Sequence, residues 1–200
     1  MKKSRLAIHG GEKAVTLDQT EAQKWPIITD EEIQAVTNVL RKGELSISEE
    51  TYKLEEEFAK YHGVKYALAH NNGTAAIHAA FFAIGVGPGD EVISPAHTYW
   101  ATFMPILSTN GVPVFCEVDP DTLCADPDDI RKRITPQTKA IIVVHQGGMM
   151  AEMDKIMEIA REKAIPVVED ASHAHGATYK GKKAGTIGDI GCFSLQTSKL

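Results

Sequence analysis

The sequence predicts an α/β fold with a mostly parallel sheet covered by helices on both faces. Three observations carry that prediction. From residue 91 onward, short runs of continuous Val/Ile character such as Ala140-Ile-Ile-Val-Val144 recur, as in strands buried on both faces. Between them lie helix-patterned segments of the lengths that crossovers between parallel strands require. The composition, 43% hydrophobic and 24% charged over 200 residues, describes a globular chain with one sizeable core.

Taken in order, Thr29-Asp-Glu-Glu32 has the form of a capping box and Gly43 stands where a helix would stop, so residues 30–42 read as a helix. Leu54, Phe58 and Tyr61 mark a second helix that ends at Gly63, and residues 65–70 read as a short strand. Asn72-Gly73-Thr74 opens an Ala-rich helix, apolar nearly all round and therefore buried. Next come the strand "EVISPA", the helix "TYWATFMPILSTN", the strand "VPVFCEVD", the short helix "DPDDIRKRI" and the strand "KAIIVVH". The helix "AEMDKIMEIAREKA", the strand "IPVVEDA", a Gly/Lys-rich loop or hairpin "GATYKGKKAGTIGD" and the strand "GCFSLQ" complete the chain.

Several function classes are disfavoured. The formal charge is -6 with acids and bases interspersed, which provides no basic stripe for nucleic acid. The apolar stretches are strand-length, too short to span a membrane, and "MKKSRLAIHGGEK" lacks a signal-peptide apolar region, so a cytoplasmic protein is expected. Cys116, Cys124 and Cys192 form no CxxC pair and read as buried thiols.

In open α/β sheets, ligands bind beyond the C-terminal ends of the strands. His70-Asn-Asn-Gly73-Thr74 joins a predicted strand to a helix start, where free N–H groups favour a phosphate; an ordinary N-cap would look the same. "GVGPGD" follows a helix and precedes a strand, the reverse of a dinucleotide fingerprint, and reads as a turn. Tyr99 and Trp100 stand just past a strand, as a stacking platform or as core. Asp170 ends a buried-looking strand, where a carboxylate needs a partner such as a protonated ring nitrogen. Glu169, Asp170, His173 and His175 alternatively make a metal-ligand set. Lys199, an ordinary surface charge when taken alone, becomes a nucleophile only in a pocket or beside a cation. A phosphate-ready helix start, an aromatic, an acid and a lysine together match the needs of pyridoxal 5'-phosphate (PLP).

Seven segments in register, from "WPIITDEEIQAVTNVLRKGELS" through "LEEEFAKYHGVKYALAHNNGTAAIHAA", "GVGPGDEVISPAHTYWAT", "GVPVFCEVDPDTL", "VVHQGGMMAEMDKI" and "VVEDASHAHGATYKGKKAGTIGD" to "CFSLQTSK", extend the match. In them the chain resembles the DegT/DnrJ/EryC1/StrS family of PLP-dependent sugar and cyclitol aminotransferases. The resemblance implies the fold type I architecture of PLP-dependent transferases. Residues 29–200 would be the cofactor-binding large domain, incomplete at its C-terminal end, after an N-terminal arm over 1–28. A C-terminal small domain would lie outside this chain, and a molecule ending at Leu200 would have little or no activity.

The resemblance also implies roles. Lys199 would hold PLP covalently as a Schiff base and Asp170 would bind the pyridine nitrogen. Tyr99 would stack on the ring, and His173 would sit near its phenolic oxygen. Gly73, Thr74 and Ser194 would hold the phosphate. Glutamate or glutamine would be the amino donor, and a keto sugar, commonly nucleotide-linked, or a keto cyclitol the acceptor, in a homodimer with shared active sites. Relative to the family, His173 stands in place of a commoner glutamine, Tyr99 of phenylalanine and Gln196 of histidine, and Trp100 is bulkier than usual. Lys199 favours transamination over the dehydration carried out by family members with histidine there. A non-catalytic or regulatory PLP-binding homologue is the alternative.

Overall fold

A computed structural model describes residues 5–16, 24–46 and 48–199. Residues 1–4 and 17–23 of the expected N-terminal arm, and Leu200, lie outside the described residues. Six α-helices are described: α1 (Asp30–Lys42), α2 (Glu49–His62), α3 (Gly73–Ile84), α4 (Met104–Ser108), α5 (Pro127–Arg133) and α6 (Met153–Lys163). The strands are β1 (Glu91–Pro95), β2 (Val112–Cys116), β3 (Thr138–Val144), β4 (Val167–Asp170), β5 (Thr178–Tyr179), β6 (Lys182–Lys183) and β7 (Ile190–Cys192). Five of them form a sheet in the order β2-β1-β3-β4-β7, with every neighbouring pair parallel, while β5 and β6 make a separate antiparallel hairpin.

The doubled apolar residues of each strand explain why helices lie on both sides. Successive strand residues point to opposite faces, so Ile93, Ile141, Val143 and Val167 pack on one side with Ile130 of α5 and Ile156 and Ile159 of α6. Val92, Ala140, Ile142 and Val168 pack on the other with Ile77 and Phe81 of α3 and Ile106 of α4. Each fully buried Ile or Phe side chain stabilises the fold by about 1.5–3 kcal/mol, which makes this double layer the rigid frame for the strand exits.

Local chemistry sets the helix ends. The Thr29 N–H donates to Glu32 Oε2 at 2.7 Å, closing the capping box of α1, and Gly43 ends the helix at a φ of 73°. Asn72 caps α3 by accepting the Ala75 N–H at 2.8 Å. All three cysteines are free and buried, and burial pushes the Cys116 and Cys192 thiols up to about 12. Among the described residues, no helix is long and apolar enough to cross a membrane.

Three sequence expectations are corrected. Residues 65–70 form no strand; the run has no strand partner among the described residues, Tyr66 and Leu68 are largely exposed, and the Ala69 N–H bonds to Glu55 Oε1 at 2.8 Å. The single helix expected over 98–110 is a 3-10 turn, Trp100–Thr102, followed by α4. Pro105 is the cause, because inside a longer helix its ring would strike the carbonyl four residues back, whereas the first turn of α4 tolerates it. The last strand stops at Cys192 instead of running to Gln196, since its neighbour β4 ends at Asp170, the partner of Cys192.

Candidate active site

The strand exits of β1, β3, β4 and β7 and the N-terminus of α3 surround one concave pocket of ≈ 430 Å³. All seven residues singled out from the sequence, Gly73, Thr74, Tyr99, Asp170, His173, Ser194 and Lys199, line it.

At the base lies Asp170, the last residue of β4 and 6% exposed. Thr102 donates its hydroxyl to Asp170 Oδ2 at 2.7 Å, and the Ser172 N–H donates to Oδ1 at 3.1 Å. Because the Thr102 proton is committed to the carboxylate, Thr98, 2.7 Å away, must donate to Thr102. Two donors leave lone pairs free on Asp170, so it can accept a proton-bearing ring nitrogen from the pocket side.

Across the pocket, the first turn of α3 leaves the Gly73 and Thr74 N–H groups without intrahelical partners and carries no acidic side chain. Gly73 keeps this corner tight, because a Cβ there would come within 3.1 Å of both the Phe193 carbonyl and Ser194 Cβ and would push them back by a few tenths of an ångström. This close approach sets Ser194 against the helix start, and the His175 Nε2–H donates to the Ser194 carbonyl at 2.9 Å to hold it there. Phe193 anchors the same turn through an edge-on contact with Phe58 of α2 at 5.1 Å between ring centroids. A phosphate fits such a donor-rich, acid-free corner.

Lys199 Nζ is in hydrogen-bonding contact with His173 Nε2, and the Gly147 N–H reaches His173 Nδ1 at 3.4 Å. Burial, and then the charge of Lys199, hold His173 below the ordinary imidazole value against the opposing pull of Asp170. Tyr99 is 62% exposed at the rim, its ring 5.3 Å from that of Trp100.

The metal-ligand alternative does not match this geometry. Glu169 and Asp170 are adjacent in β4 and face opposite sides of the sheet. Glu169 turns to a buried His145, while His175 is bound to the Ser194 carbonyl. No cluster of three or more metal-binding side chains occurs among the described residues. Sequence reasoning missed Thr102 and His145. Thr102 sits in an apolar run with nothing to mark it, but His145, a polar residue closing a buried strand, carried the same signal as Asp170.

Comparison with known proteins completes the description of the site. The model of the DegT/DnrJ/EryC1/StrS aminotransferase family matches residues 26–200. The chain belongs to that family. A family relative, the L-glutamine:2-deoxy-scyllo-inosose aminotransferase of Streptomyces kanamyceticus, is 40% identical over 207 aligned residues, covering 100% of this chain and 48% of the relative. GDP-perosamine synthase of Caulobacter vibrioides is 47% identical over 148 residues, covering 74% of this chain and 40% of its own. The solved PLP form of Spr1654 from Streptococcus pneumoniae superposes with a TM-score of 0.84 at 33% identity, covering 88% of this chain and 48% of that one. The chain thus spans about half the length of the DegT/DnrJ/EryC1/StrS relatives it matches.

Proposed function

We propose that the protein is a PLP-dependent aminotransferase that moves an amino group from glutamine or glutamate to a keto cyclitol or keto sugar. The observation that carries this reading is the convergence of Gly73, Thr74, Asp170, Ser194 and Lys199, separated by up to 126 positions, on one pocket that joins an acid-free helix start to a buried carboxylate. Family membership supports the same chemistry. The alignment of the whole chain with 48% of an inosose aminotransferase favours a cyclitol acceptor, and the match to GDP-perosamine synthase keeps a nucleotide-linked keto sugar as the second candidate.

When bound, PLP supplies an electron sink that stabilises negative charge at the carbon carrying the transferred nitrogen. The protein's own residues do the rest. Lys199 would hold the cofactor through Nζ, and its free amine would move the proton at the nitrogen-bearing carbon as general base and acid. Asp170, oriented by Thr102, would hold the proton on the pyridine nitrogen. Gly73, Thr74 and Ser194 would bind the phosphate, Tyr99 would cover the ring, and His173 would bond the phenolic oxygen. Residues 29–200 are the cofactor-binding domain and 1–28 its arm.

Under this reading the protein works in the cytoplasm as a homodimer. The dimer is supported by α1, which presents Ile33, Val36 and Leu40 on one face at 57%, 60% and 62% exposure, an apolar stripe of the kind that protein contacts cover.

The test is spectroscopic. Purified protein mixed with PLP should gain a visible band, Lys199→Ala should abolish it, and glutamine or glutamate should bleach it. A wild type that gains no band overturns the reading, and a band unchanged by either donor points to the non-catalytic homologue instead.

A further inference from the structure

We propose that His145 and Glu169 form a positioning pair that locks the approach to β7 and so fixes Ser194 and Lys199 relative to Asp170; the catalytic consequence rests on the function proposed above. Both side chains are fully buried, and neither reaches the pocket. The pair is specific in its protonation. The Ala151 N–H donates to His145 Nδ1 at 3.3 Å, so Nδ1 carries no proton, and Nε2–H donates to Glu169 Oε2 at 2.8 Å.

Glu169 then collects three backbone N–H groups from the loop before β7. Gly185 donates to Oε2 at 2.9 Å, and Ile187 and Gly188 each donate to Oε1 at 2.6 Å. Burial would raise this carboxyl, but the bonds from His145 and the loop outweigh it and hold the group below its ordinary value, so it stays ionised. Four donors fill the carboxylate's acceptor sites. No position remains for a substrate or an ion.

The loop transmits its placement in two directions. A Cβ on Gly185 would fall 2.5 Å from the Phe193 ring, so the loop lies directly against the residue preceding Ser194. In the other direction, the His145 backbone N–H donates to the Asp170 carbonyl at 3.2 Å, and the Ala171 N–H donates to the Cys192 carbonyl at 2.8 Å. One buried pair therefore references the exits of β3, β4 and β7 to one another. A hydrophobic pair of the same shape would fill the space but leave four backbone N–H groups, those of Ala151, Gly185, Ile187 and Gly188, without these acceptors.

The test compares His145→Phe, which keeps an aromatic ring, though a larger one, and removes both ring nitrogens, with His145→Gln, whose side-chain amide reaches the position of Nε2–H. In cofactor-free protein, H145F should speed hydrogen exchange at Gly185, Ile187, Gly188 and the β7 amides by about tenfold or more, leaving β1 and β3 at wild-type protection. The same variant should weaken PLP binding by about tenfold, and H145Q should restore both properties to within about threefold. Wild-type exchange at 185–192 in H145F, faster exchange with unchanged PLP affinity, or equal behaviour of H145F and H145Q would overturn the proposal. If H145F does not fold, His145→Asn takes its place, since its carbonyl can accept the Ala151 N–H but its amide falls short of Glu169; indistinguishable H145N and H145Q overturn the proposal equally. A wild type that binds no PLP would sink the proposed function and leave the exchange comparison to decide the lock alone.

Discussion

Thr102 donates its hydroxyl to Asp170 across 68 residues of chain, at 2.7 Å and with both residues buried. A threonine that arrives in a 3-10 turn after β1 thereby orients the carboxylate that closes β4. Thr102→Val keeps the shape and removes the donor, and hydrogen bonds to a charged group are worth about 1.5–3 kcal/mol. Urea unfolding should show a loss in that range, and PLP affinity should fall with it.

Asp170→Asn separates holding the cofactor from activating it. An amide there has no charge to keep a ring nitrogen protonated, and its NH2 group would oppose either the Thr102 hydroxyl or the Ser172 N–H. The visible band should still form, while amino transfer, followed as loss of that band on adding glutamine, should slow by about 10²–10⁴-fold. Transfer at the wild-type rate would remove Asp170 from its proposed role.

Gly73→Ala tests the corner opposite. Alanine suits a helix better than glycine, by about 1 kcal/mol, so α3 itself should not suffer. The added methyl must instead displace the Phe193 carbonyl and Ser194, each 3.1 Å away. PLP titration should show weaker binding by about tenfold with little change in melting temperature, and inorganic phosphate should compete less well, because phosphate contact and not global stability is what the substitution removes.

His173 makes stability depend on pH in a predictable direction. Its folded-state value is depressed by burial and by Lys199, so below the ordinary imidazole value of 6.5 the unfolded chain takes up a proton that the folded chain resists. Stability at neutral pH is unaffected by this group and falls on acidification. Melting temperatures measured between about pH 7.5 and pH 5.5 should drop less in His173→Gln than in the wild type. The His173→Gln slope will retain a contribution from His62, which burial depresses in the same direction.

Much of this architecture could be read along the chain, for reasons that differ by element. The capping box at Thr29 and the doubled apolar residues of β3 are local patterns, and local chemistry decides them; α3, apolar nearly all round, buries only the face of Ile77, Ala80 and Phe81 and leaves Phe82 exposed. Pro105 also carried a readable signal against a long helix over 98–110, but the apolar character of the run masked it. Strand order was not legible, because the pairing of β4 with β7 joins segments whose hydrogen bonds span the hairpin and the 185–188 loop. The same holds within the site. Asp170 announced itself as an acid closing an apolar strand, whereas nothing near Thr102 in the sequence says that its partner lies 68 positions away. Glu169 was legible as an acid in the right place, but which side of the sheet it served depended on the parity of β4.

That parity has a consequence for how the gene can be altered. Glu169 and Asp170 are neighbours with opposite assignments, one turned to the α5 and α6 side and the other to the α3 side. Deleting or inserting one codon within Val167–Asp170 would exchange the two environments. The buried four-donor socket would receive the shorter acid and the pocket the longer one. A single-codon length change there disturbs both environments at once, so mutant libraries meant to retune the pocket should vary its rim at Tyr99, Gln146 and His173 and hold the length of β4 constant.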